Sequence, residues 1–119
     1  MTPNQFLQRL VGLSSYFRYA ALYRNGELEA VERAGLVNSS SAESDKYEEL
    51  IVNPAVLTLV QQRGNIDCGG LDYVLVRYAR FYHFVQPIEG GHLSVSIEGD
   101  ADPIALIPEI REALTNVGL

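Results

Sequence analysis

The N-terminal residues carry the pattern of a capped amphipathic helix. Thr2 stands where a helix N-cap is expected, Pro3 takes the first helical position, and Gln5 completes a capping box. Gly12 offers a stop. Between them, apolar residues recur at the spacing of one buried stripe, at Phe6, Leu7, Leu10 and Val11. We predict a first helix of about ten residues.

The next apolar run predicts a β-hairpin. Residues 16–23 are rich in aromatic and apolar side chains. Asn25-Gly26 follows, the dipeptide that most readily supplies the positive φ angles of a type I′ turn. The return strand, residues 27–34, alternates imperfectly between apolar and polar positions, so we expect one of its faces to be wet.

A second helical region is predicted after a polar loop at residues 38–41. Ser40 and Glu43 form a second capping box ahead of it. Its apolar positions are Tyr47, Leu50, Ile51, Val56, Leu57, Leu59 and Val60.

This second region contains two residues that favour breaks. Proline disfavours helical geometry in the residue before it, so Asn53-Pro54 is expected to interrupt the helix. Gly64 fits a left-handed C-terminal cap. We therefore predict a kinked helix, or two short helices, ending near Arg63.

Three strands are predicted next. Two aromatic and β-branched runs, residues 73–78 and 81–85, flank a short link and predict an antiparallel pair. Residues 92–97 alternate strictly, which makes them the clearest strand of the chain. The alternation puts Leu93, Val95 and Ile97 on one face, and His92, Ser94 and Ser96 on the other.

The chain ends in a helical pattern that begins at Asp102-Pro103, and Pro108 is expected to bend or restart it. The predicted order is therefore α-β-β-α-β-β-β-α, which places the chain in the α/β (α+β) class. With 119 residues, we expect one domain over residues 1–119.

Composition narrows the functional classes. The chain is 47% hydrophobic and 20% charged, which is ordinary for a globular protein. A net charge of −6 and scattered basic residues disfavour nucleic acid and anionic membranes as partners. The N-terminus lacks a signal-peptide pattern, and no apolar stretch approaches the length of a membrane span. We expect a cytoplasmic protein without membrane insertion.

The residue types that carry chemistry are few. Cys68, His83 and His92 share no C-x-x-C or H-x-x-x-H motif. Spacing alone leaves open an approach of Cys68 to either histidine, but the surroundings of the cysteine match no nucleophile signature. Cys68 is interpreted as a turn residue and the histidines as polar groups of a sheet face. We predict no metal, no cofactor and no catalytic residue.

Two glycine pairs and one acidic run have simple interpretations. Gly69-Gly70 and Gly90-Gly91 each lead into a strand, whereas phosphate loops open into a helix, so we interpret them as turns. The acidic run of the second helix is interpreted as a solvated face, with a partner surface as the alternative. It consists of Glu43, Asp45, Glu48 and Glu49, with Lys46 among them.

The order of elements, together with the segment Gly91-His92-Leu93-Ser94-Val95-Ser96-Ile97 ahead of a terminal helix, resembles the roadblock/dynein light-chain domain family over nearly the whole chain. The resemblance implies a central five-stranded antiparallel sheet, with the first and last helices on one face and the middle helix on the other. It also implies a homodimeric adaptor or regulator without chemistry of its own, with Ras-like small GTPases among its possible partners. The break at Asn53-Pro54 departs from the family, whose middle helix is long and continuous.

We therefore predict a homodimeric regulatory or scaffold protein, joined around residues 54–63 and the strand at residues 71–78. The resemblance places that strand at a sheet edge, where its apolar side chains favour pairing with a second copy. The predicted interface residues are Val56, Leu57, Leu59, Val60, Tyr73 and Leu75. Two alternatives remain: a small-molecule sensing module with a pocket lined by Tyr73, Tyr82 or His83, and an enzyme using Cys68 or His83.

Overall fold

The structure, a computed structural model, describes residues 1–118 and contains the elements in the predicted order. The strands are β1 (Phe17–Arg24), β2 (Glu27–Glu32), β3 (Val74–Arg77), β4 (Phe81–Ile88) and β5 (Gly91–Glu98). The helices are α1 (Pro3–Gly12), α2 (Ala42–Tyr47), α3 (Asn53–Asp67) and α4 (Pro103–Asn116). Within residues 1–118, no helix has the length and apolarity needed to cross a bilayer.

The five strands form one antiparallel sheet in the order β2-β1-β5-β4-β3. This confirms the predicted fold class and places β3 at an edge, as the resemblance implied. The β1–β2 turn has positive φ at Asn25 (54°) and Gly26 (83°), the backbone that the Asn-Gly dipeptide predicted.

One face of the sheet is covered by α1 and α4 and is apolar. The capping box at Thr2 is formed, and α1 ends at Gly12 as predicted. Pro108 lies inside α4, which continues to Asn116 without the predicted restart. The core on this face combines Phe6, Leu7, Leu10 and Val11 of α1, Ile107, Ile110 and Leu114 of α4, and sheet residues that include Phe17, Phe84, Leu93, Val95 and Ile97.

The other face is covered by a helix that runs unbroken over residues 42–67, called the middle helix below. It consists of α2, a π-helical turn at Glu48–Val52, and α3. The predicted interruption at Asn53-Pro54 is wrong, because Asn53 has helical angles (φ −60°, ψ −47°) and its N–H bonds the Glu48 carbonyl five residues back. In a regular α-helix the ring of Pro54 would press on the carbonyl of Leu50, and the wider π turn gives it room.

Both predicted ends of the middle helix need correction. Its N-cap is Ser41, whose Oγ accepts the N–H of Ser44 at 3.1 Å, and not Ser40. Gly64 is buried inside the helix, which continues to Asp67. A Cβ on Gly64 would lie 3.1 Å from the carbonyl carbon of Gly70, so glycine favours the close approach of these two segments and does not form a left-handed cap.

Candidate functional site

The middle helix exposes large apolar side chains along its length. Leu59 is 67% exposed and Ile66 is 75% exposed. Exposed apolar groups in such number on one element are typical of an interaction surface. We call this set the apolar helix face; it comprises Tyr47, Leu50, Ile51, Leu59, Val60 and Ile66.

The predicted interface residues of the helix divide by burial. Leu59 and Val60 belong to the apolar helix face. Leu57 is buried against the sheet, at 6% exposure, and has little side-chain surface to offer a partner. Val56 is half-buried and lines a cavity of about 150 Å³ between the middle helix and β3, together with Val74 and Val76.

The predicted strand residues point to the opposite face of the sheet. Tyr73 is half-buried, and its ring centroid lies 5.5 Å from the ring centroid of Phe84. The guanidinium of Arg111 lies 5.1 Å from the ring centroid of Tyr73. Leu75 is also half-buried and packs against the same apolar core. The structure therefore does not bring the side chains of Tyr73 and Leu75 together with the helix residues predicted beside them.

A buried polar cluster joins the middle helix to the sheet. Glu49 is fully buried, and its carboxylate accepts hydrogen bonds from the Ser94 hydroxyl at 2.8 Å and from Asn53 Nδ2 at 2.9 Å. His92 Nε2 lies 2.9 Å from Oε1, and the Tyr19 hydroxyl donates to Oε2 at 3.1 Å. With His83, described next, these residues form the Glu49 cluster: Tyr19, Glu49, Asn53, His83, His92 and Ser94.

His83 extends the Glu49 cluster toward solvent. Its Nε2 lies 3.3 Å from Asn53 Oδ1 and 3.3 Å from Glu48 Oε1. Both are acceptors, so we assign the ring hydrogen of neutral His83 to Nε2, and Nδ1 then accepts from the Ser96 hydroxyl at 3.4 Å. The Tyr78 hydroxyl donates to Glu48 at 2.8 Å.

The environment shifts the protonation of these groups. Burial alone would raise the pKa of Glu49, but hydrogen bonds from His92 and Ser94 and the nearby imidazoles hold the pKa below its ordinary value. Burial lowers the pKa of His83, against the opposing pull of Glu49 and Glu48. The pKa of Tyr19 is raised by burial and by Glu49, and that of Tyr78 is raised to about 12 by burial and by Glu48. Glu49 is therefore an ionised carboxylate and His83 a neutral imidazole near pH 7.

The cluster adjoins an open cleft of about 350 Å³, lined by Tyr19, Glu48, Glu49, His83 and Ser96 among others. Of the residues predicted for a sensing pocket, His83 lies here. Tyr73 and Tyr82 pack against the apolar core on the other face of the sheet. The cleft therefore contains one of the three pocket residues named from the sequence.

Ser96 and Cys68, two side chains of nucleophilic type, have different surroundings. Ser96, His83 and Glu48 lie in a row beside the cleft, and Ser96 is only 6% exposed. Cys68 is exposed and hydrogen-bonds Arg63 and Asp67, not a histidine. In the part of the chain that the structure describes, no three His, Cys, Asp or Glu side chains are placed to hold a metal ion.

The topology and layering match a known fold. A crystal structure of a Roadblock/LC7 domain from Streptomyces avermitilis is similar, with a TM-score of 0.77 over 98% of this chain and 95% of that chain, at 18% sequence identity. This chain has a roadblock/LC7 fold. No protein-family model matches the sequence, and no curated protein matches it.

Two features of this structure are not predicted by the sequence patterns. The acidic run was expected to be solvated throughout, which is wrong for Glu49. The helical spacing of Glu49, Asn53 and Leu57 was a usable signal, because residues four apart share a face. The apolar helix face is also wider than predicted, since Tyr47, Leu50, Ile51 and Ile66 belong to it.

Proposed function

We propose that the protein is a homodimeric, non-enzymatic regulatory or scaffold protein, and that a Ras-like small GTPase is among its partners. The observation that carries the proposal is the apolar helix face, which is exposed on a helix that packs next to an open edge strand. A surface of this kind is costly to leave in water, since covering one large apolar side chain is worth roughly 1.5–3 kcal/mol.

The edge strand supports self-association. In residues 1–118, β3 has β4 as its one neighbour in the sheet, so its other side presents unpaired backbone groups. A second copy related by a two-fold axis can pair with that edge and cover Leu59 and Val60 at the same time. In this arrangement Tyr73 and Leu75 contribute through their backbone, because their side chains are held by the apolar core.

The choice of partner class rests on the fold and on charge. With a net charge of −6, the protein is poorly suited to a polyanion, which leaves protein surfaces as the natural ligands. The small GTPase is an inference by analogy with the roadblock/LC7 fold.

Light scattering after size exclusion tests the dimer. We expect a dimer at micromolar concentration and a shift to monomer for Leu59→Glu. Ile104→Glu is the matched control, because Ile104 is a similarly exposed apolar residue (57%) on α4, outside the proposed interface. Leu75→Pro tests the strand, since proline removes a ladder donor. A monomeric wild type contradicts the dimer.

The partner is tested separately. The tagged wild type and the Leu59→Glu variant are used to purify proteins from the native host, and small GTPases among them are then tested with GDP and with a GTP analogue. We expect direct binding of one such GTPase. If purified candidates fail to bind, the adaptor role must lie with another class of protein.

Small-molecule sensing is a second candidate, favoured by the cleft beside His83. Its volume of about 350 Å³ lies within the range of ligand pockets, which is roughly 300–1,000 Å³. Native mass spectrometry of the purified protein is the direct measurement: a retained small molecule that is lost in a variant of a cleft residue such as Tyr78→Ala supports sensing.

A further inference from the structure

Buried polar groups form a large part of the attachment of the middle helix to the sheet. Of residues 42–67, all of which the structure describes, those buried are Glu49, Asn53, Leu57 and Gly64. Leu57 is the only large apolar side chain among these buried residues. By contrast, the much shorter α1 buries Phe6, Leu7, Leu10 and Val11. The middle helix is therefore docked by the Glu49 cluster together with a small apolar contact, in which Val52, Val56 and Leu57 face valines of β3 and β4.

The hydrogen bonds of the cluster connect separate elements. The carboxylate of Glu49 accepts hydrogen bonds from Tyr19 of β1 and from His92 and Ser94 of β5. Asn53 lies within hydrogen-bond distance of His83 of β4. Each of these bonds is lost when the helix leaves the sheet. A buried carboxylate and a buried imidazole are favourable there only while each stays in its present protonation state.

The buried His83 and Glu49 lie at the wall of the open cleft, so a proton crosses only a short distance from solvent to reach them. Both acidic and basic groups surround His83. The titratable and charged groups around it are Asp45, Glu48 and Glu49 from the middle helix, Arg18 and Tyr19 from β1, Tyr78 from the β3–β4 link, and His92 from β5.

We propose that the Glu49 cluster is an acid-sensitive attachment, so that mild acidification opens the middle helix from the sheet while α1 and α4 stay docked. The physical reason is burial: an imidazolium at His83 is poorly solvated beneath the helix and regains water when the helix opens. Acid therefore favours the open form. The inference does not depend on the dimer, although opening would remove the apolar helix face from any partner bound there.

The sign follows from the pKa directions. The pKa of His83 is lowered from its ordinary value of 6.5 in the folded chain. His83 therefore binds a proton more readily when the helix is open. The contribution of His83 to the stability of the docked form is complete above pH 6.5 and declines as the pH falls below that value. The pKa of Glu49 is lowered from 4.5, so its contribution is lost in the same direction at still lower pH. Both groups favour opening in acid.

Hydrogen exchange read by mass spectrometry tests the proposal on the full chain. If His83 binds no proton in the docked form, the equilibrium constant for opening of the helix is roughly tenfold larger at about pH 5.5 than at about pH 7.5. The lower pH is about one unit below the ordinary pKa of histidine. We expect exchange in residues 42–67, corrected for the intrinsic pH dependence, to increase by up to that factor while α1 and α4 do not change. Size exclusion at both pH values shows whether subunit dissociation accompanies the change.

The decisive variant is His83→Gln, which keeps an amide donor near the position of Nε2 but does not titrate. We expect it to abolish the acid response. Unchanged exchange of residues 42–67 in the wild type overturns the proposal, as does an equal increase in α1 and α4 or a full response in His83→Gln. If that variant does not fold, an NMR titration of His83 in the wild type decides. A measured pKa below 6.5 supports the acid-sensitive attachment, and a pKa at or above 6.5 overturns it.

Discussion

The two faces of the sheet are covered by helices in different ways. On one face, α1 and α4 bury an apolar layer that includes Leu7, Leu10 and Ile110. On the other, the middle helix is held by a network centred on the carboxylate of Glu49. Apolar burial is insensitive to pH and to exact hydrogen-bond geometry, whereas a buried network requires every partner in place. We therefore expect the first face to provide most of the stability, while the second sets the register of one helix and makes it separable.

The largest effect is expected on the apolar face. Phe84 is fully buried there, and Phe84→Ala is expected to lower the free energy of unfolding by about 3–5 kcal/mol through lost burial and a residual cavity. Urea denaturation followed by circular dichroism measures this value. A loss below about 1 kcal/mol would show that the apolar layer does not dominate stability.

On the polar face, Glu49→Gln is expected to lower the free energy of unfolding by about 1–3 kcal/mol. The donors around Glu49 share two carboxylate oxygens, whereas the glutamine amide offers them only one acceptor oxygen. The same denaturation experiment applies. Since the substitution leaves the apolar layer intact, we expect hydrogen exchange to increase chiefly in the middle helix. Equal losses in α1 would mean that the two faces do not separate.

Stability is expected to fall between about pH 7 and pH 5, by up to about 1.4 kcal/mol for each unit by which burial lowers the pKa of His83. The group binds its proton more readily in the unfolded chain, so acid favours unfolding. Thermal melts across this range measure the effect. His83→Gln serves as the control and should flatten the profile.

The smallest expected effect is the difference in unfolding free energy between two tyrosine substitutions. Tyr19→Phe removes a buried hydrogen bond to Glu49 and is expected to cost about 1 kcal/mol. Tyr78→Phe removes a similar bond to Glu48 at the exposed end of the same region and is expected to cost less than about 0.5 kcal/mol. Equal costs would indicate that burial does not strengthen the network.

Local signals predicted the elements that depend on neighbouring residues. The capping box at Thr2 and the alternation of β5 are complete within a few residues, and both are observed. Gly64 was misinterpreted because its reason is the approach of Gly70, which becomes visible only once the chain folds back. The break at Pro54 was expected because a proline in a regular helix is disfavoured, and a π turn upstream leaves no obvious sequence mark.

The candidate site was predictable only in part for similar reasons. Leu59 and Val60 are among the interface residues that the sequence predicts, and both are exposed. Both faces of the β3 region carry apolar side chains, so alternation alone could not tell that Tyr73 and Leu75 point away from the helix. Glu49 was missed because its partners Tyr19, His92 and Ser94 come from two strands that are distant in sequence.

The π-helical turn at Glu48–Val52 also sets the rotational phase of the middle helix. A π turn holds one residue more than an α turn, and in an α-helix each residue turns the chain by about 100°. Deleting one residue from this turn would therefore rotate everything before it by about that angle relative to α3. Tyr47 would then point to a different side of the helix from Leu59. The spare residue keeps the two halves of a single surface aligned, so the length of this short segment is as constrained as its composition.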